Sequence, residues 1–124
     1  ERIAPLLDVL KSNNDADAYL RHAAVVGLAG ASGSGRELMA GWALARERYD
    51  TPAVRLGVAL ALRRQKAPEL ASFLADADPK VAAEAARGVY DERIAAALPA
   101  LGGLADKGNP DPIAYRALAA NYVL

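Results

Sequence analysis

The chain has 124 residues, with 15 Lys and Arg against 15 Asp and Glu; this is a length for one domain, and the balance gives no global field for nucleic acid or an anionic membrane surface. Apolar residues make up 53% and aromatics only 6%; the excess is alanine, the best helix former, so the composition is all-helical. Cysteine is absent, which excludes disulfides, thiolate metal sites and covalent haem attachment, and apolar runs such as Val58 to Leu62 fall far short of the roughly 20 residues that span a bilayer.

In chain order the pattern predicts four helix pairs: 2–11 with 18–29, 35–48 with 52–65, 68–75 with 79–90, and 92–105 with 112–124. Each second helix begins after a residue whose side chain can accept a backbone N–H: Asp17, Thr51, Asp78 and Asp111. Pro52, Pro79 and Pro112 then fall at the first helical position, where a missing N–H costs nothing. These caps are 34, 27 and 33 residues apart, the period of a helical-hairpin solenoid. Ser34 and Glu37 have the spacing of a capping box after the Gly30–Gly35 turn. Pro5 and Pro99 fall inside or near the start of first helices, and a proline inside a helix is expected to bend it.

One apolar stripe runs along the second helices at helical period: Leu20, Ala24, Leu28, then Val54, Val58, Leu62, then Val81, Ala85, Val89. In the fourth pair Ala114, Leu118, Tyr122 compete with Tyr115, Ala119, Val123 for the same role. Trp42, four residues from Leu38, reads as packing rather than as a stacking platform.

Residues with chemical potential mostly have a structural reading. The Gly-Ala-Ser-Gly-Ser-Gly run at 30–35 is preceded by a helix and followed by Arg36 rather than Lys-Ser/Thr, so it is a turn and not a phosphate loop. Asp15 with Asp17, and Asp76 with Asp78, lack the remaining oxygen ligands of a calcium loop, and the second member of each falls on a cap. His22 is the only histidine, which leaves no His pair for a metal. Arg63, Arg64 and Lys66, with Glu69 nearby, form a basic group that reads as a solvated face. No catalytic residue, cofactor or metal is expected.

The capped second helices, the aliphatic-arginine pairs Leu20-Arg21 and Val54-Arg55 and the prolines of the first helices resemble HEAT repeats, particularly the short bacterial type also found in phycobilin lyases. That resemblance covers residues 1–124 and implies an all-α, right-handed α–α superhelix, a HEAT-like solenoid of four hairpins in a single domain. It also implies that Arg21, Arg55 and Arg116, which recur at equivalent places, form a structural ladder with aspartates of neighbouring turns. The strings from Tyr19 to Leu28 and from Tyr115 to Asn121, with Phe73-Leu74-Ala75-Asp76, are similar to the HEAT segment of large exported planctomycete-type proteins. In those proteins such a segment lies between a dehydrogenase-like propeller and a c-type haem domain.

The chain opens at Glu1 without a start methionine and stops at Leu124 in a helical pattern, so a segment cut from a larger protein is expected, periplasmic or exported if the resemblance holds. The face of the second helices opposite the stripe reads His22, Val25, Ala29; Leu56, Ala59, Arg63; and Ala83, Ala86, Tyr90. Small and apolar residues dominate where a solvated face would carry Glu and Lys. This face is the expected docking surface for a protein partner, whether a neighbouring domain, the next repeat or a second copy, unless adjacent hairpins already cover it. The function expected is a non-catalytic scaffold, and the alternative class is a HEAT-like lyase or DNA glycosylase acting on a bilin or nucleic acid.

Overall fold

The computed structural model of the chain describes residues 3–105, and every regular element among them is helical. Four α-helices come first: α1 (Ala4–Asn13), α2 (Ala18–Ala31), α3 (Gly35–Tyr49) and α4 (Pro52–Arg64). A 3₁₀ helix, Pro68–Phe73, leads to α5 (Pro79–Asp91), and a second, Ala95–Ala97, to α6 (Leu98–Ala105). The fourth predicted second helix, with its cap Asp111 and with Arg116, lies outside the described residues.

The helix starts are set locally. Asp17 accepts from the N–H groups of Tyr19 and Leu20, Thr51 from Val54, and Asp78 from Lys80 and Val81, each cap stabilising by about 1 kcal/mol. Ser34 Oγ accepts from Glu37 N at 3.2 Å while Glu37 Oε2 accepts from Gly33 N at 3.0 Å, a capping box whose return bond reaches one residue further out than usual. Pro5 and Pro99 are the second residues of α1 and α6; in that first turn their missing N–H breaks no bond, so neither kinks its helix.

The third and fourth first helices are shorter than the sequence suggests. In place of 68–75 there is the six-residue 3₁₀ helix: Pro68 forces Ala67 into an extended conformation, φ −85° and ψ 134°, and few residues remain to repay helix nucleation. In place of 92–105 the chain turns at Arg93, whose φ is +52°, before the 3₁₀ turn and α6.

The buried apolar side chains form one cluster from Ile3 to Leu101. At its centre α4 packs against α1, α2, α3, α5 and the first 3₁₀ helix. Its approach to α1 is close enough that a Cβ on Gly57 would lie 2.5 Å from the Leu10 side chain, so any larger residue there has to displace buried Leu10. Trp42 is buried, as are Val54, Val58 and Leu62 of the stripe and Val81, Ala85 and Val89. Leu20 departs from its expected place and is 48% exposed, because no hairpin covers that side of α2.

Candidate functional site

Two edges of the protein concentrate its polar side chains. Along the first lie the turns inside the hairpins, at the N-terminal ends of α2, α4 and α5. Arg55 of α4 donates from Nη1 to Asp50 Oδ1 at 2.6 Å and from Nε to Asp76 Oδ2 at 3.0 Å. Asp50 belongs to the turn before α4 and Asp76 to the turn before α5, so one guanidinium joins consecutive hairpins. Arg21 donates to Asp15 at 2.6 Å, and Lys80 at the start of α5 pairs with the same Asp15. Arg55 thus reaches the turn of the next hairpin, whereas Arg21 pairs with Asp15 in the turn of its own hairpin; Arg116 lies outside the described residues. In α5 the equivalent position is Ala82, and Lys80 supplies the charge instead.

The Asp-x-Asp pairs thereby divide their labour. Asp17 and Asp78 cap helices, whereas Asp15 and Asp76 hold the cations. The spacing repeated at 15–17 and 76–78 was the available signal for this, though a sequence alone does not say which cation each takes. The hydrogen bond from Lys80, opposed by partial burial and reinforced by Arg21, holds the Asp15 carboxyl below the usual aspartate range. Arg55 and then Arg46 lower Asp50 in the same way against the cost of burial. Burial works against the Arg55 charge, yet its bonds to Asp50 and Asp76 outweigh that and raise its pKa.

Along the second edge lie the connections between hairpins. Gln65 Nε2 donates to the carbonyls of Ser32 at 2.7 Å and Ala29 at 3.2 Å, so the end of α4 satisfies free carbonyls at the end of α2. Gln65 Oε1 is buried without a donor among the described residues. Arg63 reaches Glu92 at 3.3 Å, Asp91 at 3.5 Å and Glu84 at 3.6 Å, and its aliphatic stem lies over Gly88, 3.0 Å from where a Cβ would stand. Nothing in the composition of the sequence pointed to Gln65.

The expected docking face is therefore not one free strip. Leu56 is 2% exposed and Ala59 1%, because neighbouring hairpins flank α4 on both sides and close over them, and Val25 of α2 is 6% exposed. Ala86 is buried as well. Arg63 is occupied by its carboxylates, and Ala83 and Tyr90 are half-buried. What stays open is a groove of about 440 Å³ between α2 and α4, with Val25 and Leu60 on its apolar wall and Arg21, His22, Arg63, Arg64 and Glu92 around it. His22 and Arg64 are exposed. Among the described residues no cluster of three His, Cys, Asp or Glu side chains is placed to hold a metal, and no helix is long and apolar enough to cross a membrane. No protein-family model, curated protein or solved structure matches the chain.

Proposed function

We propose that this chain is a non-catalytic scaffold and docking segment, a HEAT-like right-handed solenoid of four hairpins within a larger, exported bacterial multidomain protein. The observation that carries this reading is Arg55, bound at once to Asp50 of its own hairpin and to Asp76 of the next. An arrangement that commits its least exposed charges to joining successive hairpins serves the rigidity of a surface. The docking surface is the groove between α2 and α4, where apolar Val25 and Leu60 adjoin exposed His22 and Arg64. Such a mixture of apolar floor and polar rim suits a segment of a neighbouring domain.

Photo-crosslinking in cells tests the reading. A photoreactive residue in place of His22, in the groove, is expected to trap one discrete protein species; the same residue in place of Glu47, exposed on α3, is expected to trap none. Identical patterns from the two positions would reject the groove as the docking surface.

A further inference from the structure

The groove between α2 and α4 has an order along its length. Gln65, at the C-terminal end of α4, bonds the carbonyls of Ala29 and Ser32 at the C-terminal end of α2, so the two helices run in the same direction. Leu20 and Val54 stand at equivalent positions 34 residues apart, which brings His22 level with Leu56 and Val25 level with Ala59. Along the groove the lining residues are therefore Arg21 and His22, then Val25, then Leu60, then Arg63 and Arg64. Basic side chains stand at the two ends and apolar ones between them. The distance from the level of His22 to Arg64 is that from position 56 to position 64, about 12 Å at 1.5 Å per residue.

The basic side chains are not equally committed. Arg21 is paired with Asp15, and Arg63 with Glu92, the carboxylate that borders the groove. Neither His22 nor Arg64 has an ion-pair partner among the described residues, and both are exposed. Arg64 carries a fixed charge, and the His22 ring offers an N–H donor in either tautomer. Each end of the groove thus holds one free donor. An extended peptide rises about 3.3 Å per residue and turns alternate side chains to one face. Its side chains i and i+4 lie about 13 Å apart on that face, with side chain i+2 midway.

We infer that the groove takes an extended acidic peptide of the pattern acid-x-aliphatic-x-acid. One carboxylate accepts from His22, the aliphatic side chain packs on Val25 and Leu60, and the other carboxylate pairs with Arg64. The pattern reads the same in both chain directions. A nucleic-acid strand fits less well, because its phosphates would meet Val25 and Leu60, and no aromatic ring lines the groove to stack a base. The inference rests on the groove being the docking surface.

Fluorescence anisotropy with the labelled peptide Ser-Glu-Ser-Leu-Ser-Glu-Ser tests it, and saturable micromolar binding is expected. The peptide Ser-Glu-Glu-Leu-Ser-Ser-Ser keeps the composition and charge but loses the spacing, and should bind about fivefold more weakly. Arg64→Glu should stay folded by circular dichroism and bind the first peptide about tenfold more weakly. A peptide with one glutamate replaced by lysine should recover affinity for that variant. Absence of saturable binding to the wild type overturns the inference, as does equal binding of the two peptides or undiminished binding to Arg64→Glu. Tighter binding of an oligothymidylate than of the first peptide at the same salt overturns it as well. A discrete cross-link from position 22 without peptide binding would remove the acidic occupant and leave the docking groove. Identical cross-links from positions 22 and 47 with the peptide bound would remove docking in the cell and leave the chemistry of the groove, so the two readings fail separately.

Discussion

The two ends of α4 solve the same problem with different chemistry. At its N-terminal end, charge does the work: Thr51 caps the helix and Arg55 gathers Asp50 and Asp76. At its C-terminal end, backbone geometry does it. Lys66 takes φ +54°, Ala67 N bonds Leu62 O at 3.0 Å and Lys66 N bonds Arg63 O at 2.9 Å, the two bonds of a Schellman motif. The end of α5 repeats the motif with Arg93 at φ +52°, Ile94 N on Val89 O and Arg93 N on Tyr90 O. Glycine normally fills that left-handed position; here lysine and arginine do, at a cost of about 1 kcal/mol each. The first edge therefore rests on its charge network, and the second on backbone conformation and neutral hydrogen bonds beside the ion pairs of Arg63.

The largest expected effect falls between the edges. Leu56→Glu puts a carboxylate at a position 2% exposed, where Lys80, which lines the same cavity, is already paired with Asp15, and should cost about 4 kcal/mol or more. Urea denaturation is expected to show both edges lost in one transition. If the variant stays folded and only gains a binding defect, Leu56 belongs to a free surface after all.

Next comes Arg55→Ala. It strands Asp76, whose side chain is 7% exposed, and should destabilise by about 2 to 4 kcal/mol, whereas exposed Arg64→Ala should leave the melting temperature unchanged. Equal melting temperatures for the two variants would dissolve the distinction between the edges. Acid sharpens it. Asp15 and Asp50 have folded-state pKa values below their unfolded ones, so their contribution is present above about pH 4 and is lost as pH falls through the lower, folded values. The urea midpoint of the wild type should therefore drop from pH 5 toward pH 2 more steeply than that of Asp15→Asn combined with Asp50→Asn.

Gln65→Ala should cost about 1 kcal/mol. Two carbonyl bonds are lost, but the buried and unpartnered Oε1 goes with them, which offsets part of the loss. Gln65 has no titratable group, so this difference should be the same at pH 5 and pH 7; a pH-dependent difference would mean that Gln65 is coupled to the ion pairs of Arg63 on the same edge. Smallest and opposite in sign, Lys66→Gly should stabilise by about 0.5 to 1 kcal/mol by relieving the left-handed residue, visible as a small rise in melting temperature. No rise, or a fall, would mean that the Lys66 side chain contributes more than its backbone costs.

The first edge was legible in the sequence because its signals are local. A cap acts on an N–H two or three residues away, and Pro52 and Pro79 mark the same starts, so α2, α4 and α5 begin where the sequence puts them. The second edge was hidden because Lys66 and Arg93 carry no glycine signal, and because Gln65 reaches carbonyls 33 and 36 residues back in the chain. Asp15 with Lys80, 65 residues apart, is beyond any local pattern.

Helical periodicity by itself determined which positions of the second helices share a face, since 100° per residue is a property of the backbone. It could not determine whether a face of alanine, valine and leucine meets protein or water. Leu20 and Val54 stand at equivalent positions, 48% and 0% exposed; Val26 and Ala59 both carry apolar side chains, at 37% and 1%. Only the tertiary structure decided between them, because burial depends on what stacks beside a helix: α4 has hairpins on both sides, and α2 has one.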